Sequence, residues 1–515
     1  MAVGAAAFVP LRRCPALLRG RQGVTTAAFA MLLTATLGAV GLATEAAMWY
    51  SDWVAVQGAA DSAAMAGAVS ISVPSEQSNG GPVATMTYVA TQNGFTNGTS
   101  GTTVTTHYPP ADGSYSGNTY AAEIVISKQE TLHFAGLFLK AGPTVTGRAV
   151  GLYKSNSPAC VMALGNDTST SNNGQLYMTG GAALSASGCT IAGNNTGAHS
   201  VELDPSAQVT AYTIQSAGTI ASTCGQGIYG CGNVINVTRP PSSNSVASTD
   251  PLASVQNVSL PPSSDFPTSC TQSIGSTTTA MTPNTAATAY CAINVGGRKQ
   301  TTQLSATGGT YYINGGINIC TSGCNVTGTT ALQISSTTSG STFYINGSIT
   351  INGASNAILD VAPGTYFIYN GSLVVGNSGG ITCSTCSAGG GGATFVLMGN
   401  TPGIVSLTGD SPVSFSAPAS SNYNSALDGV AIYEPVNDTG LNVFGGSAAM
   451  TLQGAVYAPG AALSISGTSA LGSTTCSWFI ANTISMTGSG TASDANCSAY
   501  GYTWGSSKGT LALVE

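Results

Sequence analysis

Side chains able to do acid–base chemistry are scarce here: 19 Asp and Glu and three His stand among 515 residues. Beyond residue 155 the carboxylates that invite attention are Glu202, Asp204, Asp360, Asp410, Asp428, Glu434 and Asp438. Cleaving a glycan needs two carboxyl groups about 5–9 Å apart across a sugar. Glu202 and Asp204, at i and i+2, would share one face of a strand. A lyase also wants a cation, and between residues 155 and 507 only Arg239, Arg298 and Lys299 offer one. The acids therefore read as solvated groups that keep a Gly- and Ser-rich surface in solution. His107, His133 and His199 lie far apart with no metal-ligand spacing around them, and neither H-E-x-x-H nor a P-loop occurs. GGGG at 389–392 lacks the Asp of calcium-binding nonapeptide repeats. The sequence nominates no catalytic residue, no cofactor and no metal ligand.

Cysteine is the other reactive type. There are 13, and Cys14 precedes a long apolar stretch, which leaves an even twelve after it, as an oxidising compartment favours. Neighbours suggest Cys160 with Cys189, Cys224 with Cys231, Cys270 with Cys291, Cys320 with Cys324, Cys383 with Cys386 and Cys476 with Cys497. Spacing does not fix connectivity. The C-x2-C at 383–386 admits a redox reading, or a zinc reading together with Cys320 and Cys324. It sits in a Gly-rich run (CSTCSAGGGGATF) with no His nearby, so structural staples are preferred.

What must position these residues is set by composition. Only 6% of residues are charged, against about 25% in a typical soluble protein, while Gly reaches 67. Nucleic-acid binding through phosphate neutralisation is excluded, because it needs Lys and Arg that the chain lacks. Charge-driven disorder is excluded as well, since 43% of residues are apolar. A charge-poor chain of Gly, Thr, Ser and Asn fits an exported all-β protein.

Val24 to Thr44 (VTTAAFAMLLTATLGAVGLAT) holds 21 positions without a charge, about 30 Å of helix and one hydrocarbon core. Arg12, Arg13, Arg19 and Arg21 precede it, and Glu45, Asp52 and Asp61 follow. The positive-inside rule puts residues 1–23 in the cytoplasm and the bulk outside. The stretch exceeds the core of a signal peptide and runs on helically, which favours an uncleaved anchor. No breaker appears until Pro74, so the helix should continue to about Val69. A short helix over 83–93 and strands over 102–108, 122–128 and 143–153 follow, a pilin-like α+β layout for residues 45–154.

RGRQGVTTAAFAML, VQGAADSAAMAGA (56–68), YVATQNGF (88–95), TTHYPPADGSYSGNTYAAEIVIS with FAGLF after it, and VTGRAVG (145–151) carry a resemblance. The block from Arg19 to about Leu152 resembles the TadG-like N-terminal region of Flp/tight-adherence pilus assembly proteins. The resemblance implies a membrane-anchored envelope component of pilus assembly. After Gly23 the chain reads VTTAA, without the Glu of processed pseudopilins. No D-x-S-x-S occurs, so the metal site of relatives with a von Willebrand A-like domain is not carried over.

Residues 155–507 differ in texture. GGTYYINGGINI (308–319), GSTFYINGSITI (340–351) and PGTYFIYNGSLVV (363–375) repeat, with Thr310, Thr342 and Thr365 at their starts. Each copy reads as two strands around a Gly-containing turn. Such periods predict a β-solenoid of ten to thirteen coils in preference to a β-sandwich pair. Segment 239–268 reads as a Pro/Ser-rich excursion or linker, and 508–515 as a C-terminal tail. Within the repeats Ile313, Ile345 and Ile368 should face inward, with Tyr312, Tyr344 and Phe367 nearer the surface.

Two functions are compatible with this. One is a non-catalytic, single-pass component of the bacterial inner membrane, its bulk periplasmic or exported, that contacts other pilus assembly proteins. The other is a surface protein that binds or cleaves carbohydrate. No aromatic–acid cluster supports the second, and the first is preferred.

Overall fold

The computed structural model describes residues 21–71, 81–154, 158–165, 175–222, 224, 232–245, 247–274, 280–296, 301–321, 330–335, 340–387, 389–410, 412–446, 450–467, 471–472, 476–493, 497–498, 502 and 510–515. The protein is mainly β, with one long apolar helix at its N-terminal end.

That helix, α1 (Arg21–Ile71), runs for 51 residues, about 77 Å. Its first half is exposed and apolar. Its second half buries Val56, Ala59, Ala60, Ala63, Ala64 and Ala68 at i, i+3, i+4 spacing. The partner surface is a four-stranded sheet made of β1 (Thr102–His107), β2 (Ala121–Gln129), β3 (Thr144–Lys154) and a C-terminal strand, Thr510–Leu513. Small residues on both sides allow very close approach. A Cβ at Gly151 would stand 2.1 Å from Ala64 O, and one at Gly147 2.9 Å from the Gln57 backbone. The VQGAADSAAMAGA and VTGRAVG motifs are thus the two halves of one helix–sheet contact. A second helix, α2 (Gly81–Gln92), packs Met86 against Gly67 of α1.

The residues read as a C-terminal tail form a strand instead. Thr510 pairs with Lys154 and Leu513 with Gly151, antiparallel. Arg148 then binds Glu515 at 2.6 Å and Glu123 at 2.6 Å. Everything between Lys154 and Thr510 is consequently an insertion into the small sheet, its two ends held side by side.

The insertion is a 25-stranded sheet of parallel pairings closed around a single apolar interior. Thr310, Thr342, Thr365 and Thr394 lie in register, as do Ile313, Ile345 and Ile368. The sequence repeats are therefore stacked neighbours. The turn inside each copy is a corner rather than a hairpin. Residues 310–314 and 317–319 both pair parallel with the next copy, and Gly316 makes the bend at φ +80°.

Register follows a column of ten buried side chains: Ile214, Ile191, Val161, Phe479, Val456, Ile432, Phe395, Tyr366, Phe343 and Tyr311. Nine strand spacings make it about 43 Å long. Its order is not the order of the chain. The polypeptide enters at Val161, third from one end, winds to that end through Ile214, crosses to the opposite end, and winds back until Phe479 pairs beside Val161.

Segment 239–268 makes that crossing, and it is a strap rather than a free linker. Ser242 Oγ donates to Asn118 at 2.8 Å, Asn194 and Ser248 exchange two bonds of 2.8 Å, and Tyr457 donates to Asp250 at 2.7 Å. Farther along, Tyr423 donates to Ser259 O at 2.7 Å and Asn346 to Pro267 O at 2.7 Å. Phe266 stacks on Tyr369 at 4.5 Å and meets Tyr344 edge-on at 5.6 Å. The contacts therefore run along the body, from the rung of Asn194 past that of Tyr457 to the neighbouring rungs of Tyr369 and Asn346.

Ile313, Ile345 and Ile368 are fully buried. Tyr312 and Tyr344 are half-buried and stacked at 4.8 Å. Phe367 departs from the outer position expected for it: it is fully buried, because Tyr423 covers it edge-on at 4.6 Å.

Candidate functional site

The seven carboxylates are spread along the body and brought together only in two pairs. Tyr177, in register with Glu202, donates to Asp204 at 3.0 Å, and Thr179 donates to the same carboxylate. Glu202 is 1% exposed, with His199 Nδ1 3.5 Å away. Asp360 accepts from Gln333, Thr382 and Ser384, and Asp428 accepts from Ser421 N at 2.6 Å. Asp410 is exposed. Asp204, Asp360 and Asp428 are thus structural acceptors that tie one rung or loop to the next.

Glu434 and Asp438 are different. They are 0% and 2% exposed, at the end of strand Val430–Tyr433 and in the loop after it. Asn442 Nδ2 donates to Glu434 Oε2 at 2.6 Å, and Gly440 N donates to Asp438 Oδ1 at 3.0 Å. Glu434 Oε1 and Asp438 Oδ2 have no hydrogen-bond partner among the described residues. Burial first, and then the Asp438 charge, push the Glu434 carboxyl up to about 8, against the opposing Asn442 bond. Burial likewise raises Asp438. A protonated acid beside a second carboxyl has the elements of an acid–base pair, but both groups are sealed from any polysaccharide. The pair bears on the pH dependence of stability.

Among the described residues no three His, Cys, Asp or Glu converge as a metal site. Cys160–Cys189, Cys270–Cys291, Cys383–Cys386 and Cys476–Cys497 are disulfide-bonded, with Cα separations of 5.8, 4.9, 5.2 and 5.1 Å. Cys383 is thus bound to Cys386 rather than free for a metal. Cys224 and Cys320 are also disulfide-bonded, while their expected partners Cys231 and Cys324 lie outside the described residues, as does Cys14. Cys270–Cys291 fixes the far end of the strap.

The remaining concentration of chemistry is at the foot of the small domain. α1 is long and apolar enough to cross a membrane. Arg21 is its first residue, and Arg12, Arg13 and Arg19 lie outside the described residues. Phe29, Met31, Leu32, Leu37 and Val40 are 58–75% exposed. Lys128 on β2 meets Asp52 at 2.7 Å. Below that ion pair the loop after β2 descends along the helix and lays the Phe134 ring on Gly41, where a Cβ would stand 2.6 Å from it. Glu45, 1% exposed, accepts the His133 and Ala135 backbone N–H groups and clasps the loop to the helix. This loop was not singled out as a site in the sequence. Its signal is the apolar run FAGLFL (134–139) closed by Lys140.

No protein-family model matches the chain, and neither a curated protein nor a solved structure matches it.

Proposed function

We propose that this chain is a membrane-anchored, non-catalytic envelope component of Flp (tight-adherence) pilus assembly. It spans the bacterial inner membrane once, N-terminus inward, and holds its body in the periplasm or outside the cell. In this reading the closed parallel body is a β-solenoid, a stiff spacer that acts through protein contacts. The observation that carries it is the mounting of that body. It is inserted between β3 and the C-terminal strand of a sheet packed on the continuation of the apolar helix, so the body is attached to the anchor's sheet at two adjacent strand ends. The disulfides agree with an exported bulk, and the strap, which crosses many rungs, stiffens the spacer. Deleting the gene in its host should abolish surface pili and adherence, and the full chain should restore both. A chain starting at Glu45 behind a cleavable export signal should not restore them. Normal piliation in the deletion strain would overturn the proposal.

A further inference from the structure

We infer that the loop Leu132–Leu139 is a second membrane contact, which dips beside α1 into the outer leaflet and sets how deep the anchor sits. The inference rests on the anchored reading above and sharpens it. Leu137 and Phe138 are 79% and 75% exposed, Phe134 50% and Leu139 47%, an unusual density of open apolar surface for one short loop. None of it is isolated. Through the Phe134–Gly41 contact it is continuous with Leu37, Val40 and Met48 on the helix, around a cavity of about 220 Å³. That continuity with the apolar span names the occupant as lipid.

Two further features fit. Glu45 falls inside the region the loop would bring into the membrane, where a bare carboxylate is costly. Yet it is 1% exposed and holds two backbone N–H groups of the loop itself. The same loop that needs burial therefore shields the acid that would oppose it. Second, Tyr50 and Trp53, 67% and 43% exposed with ring centroids 5.9 Å apart, stand one to two turns above Glu45, as an interfacial aromatic belt would. The hydrocarbon boundary then lies near Met48 and not at Thr44. Ala28 to Met48 spans about 30 Å, one bilayer core, and leaves Arg21 about 10 Å beyond its inner edge. Lys140, exposed at the end of the loop, is left at the headgroups.

The test is nitroxide depth measurement on the full chain in phosphatidylglycerol/phosphatidylethanolamine nanodiscs, in a Cys14→Ser background with the disulfides intact. Labels go on Leu33→Cys in the span, Leu137→Cys and Phe138→Cys in the loop, and Tyr88→Cys on α2. Tyr88 is 64% exposed on a helix that packs near Gly67, about 39 Å along α1 from Gly41. Collisions with oxygen should dominate those with a water-soluble nickel chelate at 33, 137 and 138, and the reverse should hold at 88. Water-like values at 137 and 138 with a lipid-like 33 would overturn the loop contact alone. So would labels at 137 and 138 shielded from both reagents, which would mean a protein contact. A water-like 33 would overturn the anchor itself.

Discussion

Replacing Glu434 with Gln should remove a pH dependence of stability that the wild-type chain carries. The folded carboxyl titrates at about 8, against 4.5 when unburied. A group whose folded pKa is raised binds its proton more tightly in the folded state, so its favourable contribution is complete below pH 4.5. It is lost progressively as pH rises from 4.5 to 8, and is constant above that. At 1.36 kcal/mol per pKa unit the loss is on the order of 4–5 kcal/mol, an upper figure for one group. Asp438, also raised, adds in the same direction and should leave a smaller slope in the variant. Gln keeps the oxygen that accepts from Asn442 and carries no charge at any pH. The variant should therefore be more stable than wild type at pH 8 and close to it at pH 4.5. Urea midpoints of the detergent-solubilised chain across pH 4.5–8.5 measure this. Parallel wild-type and Glu434→Gln curves would refute the reasoning, because Glu434 would then titrate as an ordinary carboxyl.

Ile345→Asp should unfold the body or cost several kcal/mol, because it places a charge between Ile313 and Ile368 with no partner; Asn346→Ala, which loses the bond to Pro267 O, should cost about 1 kcal/mol by the same urea unfolding. Gly151→Val should loosen α1 from its sheet by about 1–3 kcal/mol or more, since its Cβ overlaps Ala64 O, while Gly58→Ala, with nothing within 4 Å, should be neutral or stabilising. Non-reducing peptide mapping should recover the four disulfides above and Cys14 as a free thiol, and a free Cys383 or Cys386 with bound zinc would contradict the staple assignment.

Local chemistry made the pieces readable. The strands over 102–108, 122–128 and 143–153 match β1, β2 and β3 to within a residue or two, because alternation and turn residues are properties of neighbours in the chain. The isoleucine column could be read because the repeats share a phase. The aromatic column beside it, Tyr311, Phe343 and Tyr366, escaped notice because a Tyr is interior only when its hydroxyl finds a partner. Tyr366 donates to Ala362 O at 2.8 Å, which no spacing rule announces. Pairing between distant segments was equally hidden. Nothing near Val161 marks Phe479 as its neighbour, and TLALVE at the end has no feature that assigns it to β3. Glu434 looked like its six fellow acids because its burial comes from strands and loops remote in sequence.

The claim on which the account rests is that everything after α1's apolar half lies outside the cytoplasm, mounted on one crossing. Alkaline phosphatase fused through a flexible linker after Glu515 tests it directly, because that residue is tied to Arg148 in the sheet that carries the body. The fusion should be active in intact cells, and less so when Arg12, Arg13, Arg19 and Arg21 are all neutralised. A stable, full-length fusion that is inactive in the wild-type chain would contradict the orientation and the assembly role built on it.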